Sequence, residues 1–176
     1  MVYLPREDSY LLKKWVEKLA KGDVLDMGTG TGIQAFAAAP KAKKVIAVDA
    51  NPEAIEYCKN AVHVFKNIEF RVSDLFSNVP EKFDVIIFNP PYLPESKFDK
   101  EIDVTGGKEG WETIERFLKE AKKHLNKNGK ILMVFSSLTN PKRVLEIAEK
   151  LGYSHNLLEK KHVGFEDLFV YEFFLK

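Results

Sequence analysis

The sequence predicts an α/β fold built on an open, doubly wound sheet of mostly parallel strands. Short apolar runs alternate along the chain with stretches of helical periodicity, which is the β-α-β-α order of such a sheet. The runs are apolar throughout, as expected for parallel strands that helices cover on both faces. A chain of 176 residues is long enough for one buried core and short for two. Residues 1–176 are therefore predicted to form a single domain.

The predicted elements follow from local patterns. Leu12, Trp15, Val16 and Leu19 recur at helical spacing, so the domain begins with an amphipathic N-terminal helix. Apolar runs then predict five parallel strands, at 24–26, 45–48, 68–72, 85–88 and 131–135. Segments 155–161 and 168–175 are separated by a short link, and they are predicted to form an antiparallel pair that closes the sheet.

Two dipeptides mark the starts of predicted helices. Asn51-Pro52 and Asn140-Pro141 each place an N-cap residue before a proline at the first helical position. The helix that follows Asn140 is predicted to stop at Gly152, since glycine commonly ends helices.

The composition excludes several classes of protein. The net charge of +1 provides no global field toward nucleic acid or a membrane surface, and the longest apolar runs are too short to span a bilayer. Residues 1–8 lack the apolar segment of a signal peptide. The single cysteine, Cys58, cannot form an internal disulfide, which favours a reducing, cytoplasmic location. The four histidines and Cys58 show no metal-ligand spacing, so no metal site is predicted.

A glycine-rich loop follows the first predicted strand, in the segment Asp26-Met27-Gly28-Thr29-Gly30-Thr31-Gly32. Glycines at such a turn let the backbone approach a ligand closely. The dinucleotide fingerprint requires glycine or alanine at position 33, where Ile33 stands. The alternative is a tight strand-to-helix turn without a ligand.

This D-x-G-x-G-x-G arrangement resembles the first motif of the Rossmann-like class I S-adenosylmethionine methyltransferases. The resemblance implies a seven-stranded, mostly parallel sheet in the order 3-2-1-4-5-7-6 and S-adenosylmethionine as the cofactor. It also implies that the glycine loop (Gly28, Gly30 and Gly32) holds the methionine part of the cofactor, whose ammonium group Asp26 helps to anchor.

Two further aspartates end predicted strands. Asp49 closes the second strand, about where a Rossmann-type sheet places the acid that accepts hydrogen bonds from a ribose diol. Asp74 follows the third strand and matches the family position that contacts the adenine amino group. A lone aspartate in such a place is also a common helix cap or turn residue. The carboxyl ends of neighbouring strands share one crevice, which favours a common cofactor site.

The most specific motif is Asn89-Pro90-Pro91-Tyr92, at the end of the fourth predicted strand. The prolines stiffen the turn and remove two backbone donors. The Asn89 side-chain oxygen and the Pro90 carbonyl can then hold both hydrogens of a planar amide or amino group, directing its lone pair at the methyl donor. Tyr92 can stack on the flat substrate group. The alternative is a simple strand-ending turn, since Asn-Pro favours turns generally.

This tetrapeptide is shared by enzymes that methylate adenine N6, guanine N2 and the side-chain amide of protein glutamine. The opening segment Val2-Tyr3-Leu4-Pro5-Arg6-Glu7-Asp8-Ser9-Tyr10-Leu11-Leu12 resembles the HemK-type protein-(glutamine-N5) methyltransferases that modify peptide-chain release factors, and within them the short eukaryotic and archaeal branch. Gly106-Gly107-Lys108-Glu109-Gly110-Trp111-Glu112 resembles a further family segment.

The resemblance implies that Asp8 and Ser9 lie over the cofactor, and that Asn89 contacts it too. As alternatives, Asp8 or Ser9 caps the first helix and Tyr10 packs against the domain. The bacterial HemK type carries an extra N-terminal helical domain, which is not expected here, so loop 93–109, the sheet rim or a partner must dock the substrate.

The resemblance also implies a partner, because the short branch works with a small zinc-binding activator subunit. The strand at 68–72 is predicted to lie at the edge of the sheet, and the helix before it is predicted to place the apolar residues Val62, Val64 and Phe65 close to that edge. An activator could add a strand there. Alternatively, these residues simply pack into the core.

Two other functions stay open. The chain could be a nucleic-acid N-methyltransferase, which the shared tetrapeptide and the lysines at 41–44 and 160–161 favour and the near-neutral charge opposes. It could also be a non-catalytic methyltransferase-like subunit that only binds a partner. The intact glycine loop and Asn89-Pro90-Pro91-Tyr92 segment oppose that function.

Overall fold

The computed structural model describes residues 1–61, 64–91 and 110–176. These residues form a seven-stranded sheet. Its strands are β1 (Gly22–Met27), β2 (Ala42–Asp49), β3 (Ile68–Val72), β4 (Phe83–Phe88), β5 (Leu125–Ser136), β6 (Tyr153–Val163) and β7 (Glu166–Leu175). The helices are α1 (Glu7–Leu19), α2 (Ile33–Ala38), α3 (Pro52–Asn60), α4 (Glu112–Ala121) and α5 (Pro141–Lys150), with short 3₁₀ turns at Lys122–His124 and Ser137–Thr139.

The strand order is β3-β2-β1-β4-β5-β7-β6. Strands β1 to β5 pair in parallel, while β7 runs antiparallel to both β5 and β6. The predicted α/β class, the strand order and the closing antiparallel pair are all confirmed.

Two apolar cores lie on opposite faces of this sheet. Successive residues of a strand face opposite sides, so in β1 Val24 joins the core under α1 and α2, whereas Leu25 joins the core under α4 and α5. This double burial explains why the parallel strands are apolar throughout rather than alternating.

The predicted helix starts are confirmed by their caps. The Asn51 side chain accepts a hydrogen bond from the Glu53 backbone N–H at 3.0 Å, and Asn140 accepts one from the Arg143 N–H at 3.2 Å. Helix α5 ends at Lys150, and Gly152 follows in the left-handed region at φ +95°.

The residues before the edge strand differ from the prediction. Helix α3 ends at Asn60, so Val64 and Phe65 follow the helix, and Val62 lies outside the described residues. Phe65 stacks on Phe36 and joins the core, while Val64 is 86% exposed. Phe65 thus fits the core-packing alternative and Val64 does not.

No helix among the residues with described positions is long and apolar enough to cross a membrane.

Candidate active site

A cleft of about 470 Å³ opens at the carboxyl ends of β1 to β4, a volume typical of small-molecule sites. Most of the predicted site residues line it, namely Asp8, Ser9, Gly28, Gly30, Asp49, Asp74, Asn89, Pro90 and Pro91. Asp26 and Gly32 are not among the lining residues. Tyr92, loop 93–109 and the segment 106–109 lie outside the described residues.

The glycine loop turns tightly from β1 into α2. Gly28 and Gly32 have φ values of +68° and +87°, which side chains disfavour. A Cβ atom on Gly32 would lie 2.7 Å from the Phe36 ring, so the position also lacks room for a side chain. The Thr29 N–H donates to the Val48 carbonyl at 2.8 Å, which ties the loop to the end of β2.

Asp26 is buried beneath this loop. Its Oδ2 atom accepts hydrogen bonds from Thr29 Oγ1 at 2.6 Å and from the Ala35 N–H at 3.1 Å. Burial nevertheless raises the pKa of Asp26 to about 7, and the charge of Asp49 adds to the rise. The Oδ1 atom of Asp26 has no hydrogen-bond partner among the described residues, and neither has Oε1 of the buried Gln34 in the cleft wall.

Asp49 holds the loop at the far side of the cleft. Its Oδ2 atom accepts from the Gly30 N–H at 2.9 Å, and its Oδ1 atom accepts from the Asn51 N–H at 2.9 Å. A carboxylate has about four lone-pair directions, so Asp49 can accept further hydrogen bonds from a ligand.

Asp74 lies in the bend after β3 and is largely exposed. It forms an ion pair with Arg116 of α4, whose Nη2 atom is 3.0 Å from Asp74 Oδ2. The next residue, Leu75, has φ +46° although it is not a glycine. Both Leu75 and Arg116 line the cleft, so this wall is built by a strained turn and a cross-element ion pair.

Asn89 meets the first turn of α1. Its Nδ2 atom lies 3.4 Å from Asp8 Oδ2 and 3.5 Å from Ser9 Oγ. Asp8 and Ser9 are both buried, and Ser9 Oγ also accepts a hydrogen bond from the Arg6 N–H at 3.4 Å. The capping alternative therefore holds for Ser9 alongside its place in the site. Tyr10 is 57% exposed, so the alternative in which it packs against the domain is wrong.

Several cleft residues were not predicted from the sequence. Tyr3 donates to Asp8, Thr29 to Asp26, and Gln34 Nε2 to the Ser9 carbonyl at 2.9 Å. Tyr3 stands within the opening segment that resembles the family and Thr29 stands within the glycine loop. Their positions in these two motifs could therefore have identified them as site residues. Gln34 and Arg116 carry no such signal, since each acts across the fold.

The buried polar groups suit a ligand that carries an ammonium group. Unpartnered buried oxygens of Asp26 and Gln34 are acceptors that a cation or an N–H donor can satisfy. No group of three or more His, Cys, Asp and Glu side chains placed to hold a metal ion occurs in the part of the chain that the structure describes.

The fold and the cleft at the strand ends define a methyltransferase domain of class I. Residues 7–164 match the methyltransferase small domain family, and the chain belongs to that family. A relative from Methanocaldococcus jannaschii, provisionally named a protein N5-glutamine methyltransferase, is 44% identical over 96% of this chain and 89% of its own length. The human methyltransferase HEMK2 is 30% identical over 98% of this chain and 89% of its own length.

A solved structure has the same fold as this chain. The chain from the Mtq2-Trm112 complex of E. cuniculi superposes with a TM-score of 0.82, at 26% identity, and the match covers 99% of both chains. That complex is described as responsible for methylation of the eRF1 translation termination factor. The recognised HemK-type family, with relatives in both archaea and eukaryotes, is confirmed.

Proposed function

We propose that this chain is an S-adenosylmethionine-dependent methyltransferase that methylates the side-chain amide nitrogen of a glutamine in a peptide-chain release factor. One observation carries the proposal. Asn89, Pro90 and Pro91 line the same cleft as the glycine loop and the aspartates that end β2 and β3. A methyl donor bound along the loop would therefore present its methyl group beside the groups that hold the substrate nitrogen.

The chain's own residues suit the cofactor. Asp49 would accept hydrogen bonds from the ribose hydroxyls, and Asp74 would accept from the adenine amino group. Asp26 and Gln34 offer buried oxygens below and beside the loop, which suits the ammonium group of the methionine part. Asp8 and Ser9, in the first turn of α1, would cover the cofactor from above, and the backbone of Gly28, Gly30 and Gly32 would give it room.

The acceptor atoms around Asn89 suit a planar amide. When bound, S-adenosylmethionine supplies an electrophilic methyl group. The Asn89 side-chain oxygen and the Pro90 carbonyl each accept one N–H of the glutamine amide, so the nitrogen is held with its lone pair directed at the methyl carbon. Transfer would form the N–C bond as the methyl–sulfur bond of the cofactor breaks, which leaves S-adenosylhomocysteine, and the nitrogen would give up one of its two protons. Tyr92, outside the described residues, would stack on the amide plane.

The choice of a release factor as the substrate rests on the relatives. Both the M. jannaschii protein and the E. cuniculi complex bear names or descriptions that point to glutamine or release-factor methylation, and this chain covers almost the whole of each. A release factor works in the cytoplasm, and Cys58 is a free, buried thiol, which agrees with a cytoplasmic location. Residues 1–176 would then act as a single methyltransferase domain with an N-terminal helix.

The edge strand β3 is the proposed site of a small zinc-binding activator subunit. β3 pairs with β2 on one side and ends the sheet order on the other, so its outer backbone groups can receive a strand. Val64 and Val72 are exposed nearby, at 86% and 44%. Lys44, Glu69, Arg71 and Glu81 form a chain of ion pairs along the same edge.

The chemical class of the product tests the proposal. The chain, alone and with a Trm112 subunit, is incubated with methyl-labelled cofactor and whole-cell lysate, and the products are digested separately with protease and with nuclease. We expect the label to be released by protease and located on a glutamine amide by mass spectrometry. Label released by nuclease would instead support the nucleic-acid alternative, and failure to bind cofactor in calorimetry would support the non-catalytic one.

A further inference from the structure

The Asp8 carboxylate is enclosed by hydrogen-bond donors from three parts of the chain. Asp8 is 4% exposed. Its Oδ1 atom accepts from the Ser9 N–H at 2.7 Å, and the Tyr3 hydroxyl lies 3.0 Å from Oδ2 and 3.1 Å from Oδ1. A further contact is that of the Asn89 Nδ2 atom, at 3.4 Å from Oδ2. Asp8 is thus fixed on one side and faces Asn89 on the other.

These contacts decide which way the Asn89 amide points. An ionised carboxylate only accepts hydrogen bonds, whereas an asparagine carries a donor end and an acceptor end. Ser9 Oγ directs its one proton at Asp8 Oδ1, 3.3 Å away, and so it also acts as an acceptor toward Asn89, at 3.5 Å. Two acceptors therefore face the Asn89 Nδ2 atom. A flipped amide would place its oxygen against both of them.

The same turn of α1 is held in place by two further residues that line the cleft, Gln34 and Tyr3. Gln34 Nε2 donates to the Ser9 carbonyl at 2.9 Å, which fixes the first turn of α1 against α2. Burial and the neighbouring Asp8 charge raise the pKa of the Tyr3 hydroxyl, so Tyr3 keeps its proton and stays a donor. The acceptor pair that faces Asn89 is consequently held by contacts within the chain itself, which require no substrate.

We infer that Asp8, held by Tyr3, is a positioning residue that fixes the Asn89 amide with its carbonyl oxygen free to accept the substrate N–H. The inference rests on the proposed function and goes beyond the cofactor contact that the family resemblance implies for Asp8. Asn89 would otherwise offer its NH₂ end to an amide that brings only N–H donors on its nitrogen. The two N–H groups would then repel each other.

Steady-state kinetics separate this role from cofactor binding. We expect Asp8→Asn to lower kcat at saturating cofactor by about 10-fold to 100-fold, the scale for residues that orient a functional side chain. The dissociation constant for S-adenosylhomocysteine should change by less than about threefold. Glu17→Gln removes a charge from the same helix outside the cleft, and it should leave kcat unchanged. An Asp8→Asn variant with full kcat and weakened cofactor binding alone would overturn the inference.

A double-mutant cycle tests whether Asp8 acts through Asn89. If it does, Asp8→Asn should lower kcat no further in an Asn89→Ala background, because residues in one network are not additive. If the kcat losses of the two substitutions multiplied in the double variant, Asp8 would act independently of Asn89. Tyr3→Phe, which removes only the donor to Asp8, should give a smaller kcat loss that also disappears in the Asn89→Ala background.

A readout independent of methylation uses the side-chain NH₂ signals of ¹⁵N-labelled protein. The Asn89 pair is assigned by its loss in Asn89→Ala. In Asp8→Asn we expect this pair to shift and to exchange with water faster than in the parent chain, with melting temperatures compared as a check on folding. An unchanged Asn89 pair would refute the positioning role. If Asp8→Asn shows the expected NMR change but the parent chain methylates no glutamine, the proposed function is refuted and the positioning role is not.

Discussion

The Gly30 N–H donates a hydrogen bond to Asp49 Oδ2 across 2.9 Å, which joins the loop after β1 to the end of β2. Asp49 therefore has two tasks, because it shapes the loop and also offers acceptor sites to the cleft. Any substitution of Asp49 must be interpreted with both tasks in view.

Asp49→Ala is expected to weaken S-adenosylmethionine binding by roughly 1.5–3 kcal/mol, the range for hydrogen bonds to a charged group. Isothermal calorimetry measures the loss. Asp84→Ala is the matched control, since Asp84 accepts a backbone N–H from Asp23 at 2.8 Å and is not a cleft residue. It should lower the melting temperature without weakening cofactor binding. Unchanged affinity in Asp49→Ala would remove Asp49 from the cofactor site.

Asn89→Ala is expected to lower kcat by about 10²–10³ while cofactor binding stays nearly intact. The loss of one directed polar group in a site that excludes water has that scale. Single-turnover methylation of a glutamine peptide measures the chemical step, and calorimetry measures binding. A variant that retains most of its turnover would contradict the acceptor geometry proposed for Asn89 and Pro90.

The sheet and its helix starts could be predicted because their causes are local. The Asn51 and Asn140 caps depend on residues two and three positions away, and apolar strands depend on burial on both faces. The end of α3 at Asn60 was not predicted, because an apolar residue after a helix and one within it look alike in sequence.

The site was predictable only where motifs mark it. The contact between Asn89 and Asp8, and that between Gln34 and Ser9, join residues far apart in the chain. No spacing rule brings such pairs together, since only the completed sheet places the strand ends beside the first turn of α1. The Arg116 ion pair with Asp74 has the same origin.

Cofactor affinity is expected to depend on pH through Asp26. Its pKa of about 7 in the folded chain exceeds the value near 3.9 of an unfolded aspartate. The folded state thus binds more protons between these values, and this residue's contribution to stability falls as pH rises from about 4 to about 7 and stays low above that. A cationic ammonium group nearby would favour the ionised form.

We therefore expect S-adenosylhomocysteine affinity to rise by up to about tenfold per unit between about pH 5 and pH 7, with release of a proton on binding. Calorimetry in two buffers with different heats of ionisation measures that proton. Asp26→Asn cannot titrate, so its affinity should be lower and flat over the same range. A parent chain without proton release would show that the ligand does not ionise Asp26.

The outward backbone groups of the edge strand can be assigned from its pairing with β2. The Asn67 carbonyl accepts from the Val45 N–H, and the Ser73 N–H donates to the Asp49 carbonyl. Because hydrogen-bond direction alternates along a strand, residues 69 and 71 also face β2, whereas the N–H groups of Ile68, Phe70 and Val72 face outward. Val72 has an exposed side chain and Phe70 packs into the core, so Val72 is the position to test.

Val72→Pro is expected to abolish binding of a Trm112 subunit, because proline removes an outward donor that an added strand needs. The isolated fold should be affected little, since no hydrogen bond to β2 is lost. Arg71→Pro is the matched control, because it removes an inward donor together with the ion pair to Glu81 and should lower the melting temperature much further. Co-expression, size-exclusion chromatography and methylation assays measure the outcome. A parent chain that is fully active alone and gains nothing from the subunit would contradict the proposed partner, as would a Val72→Pro variant that still forms the complex.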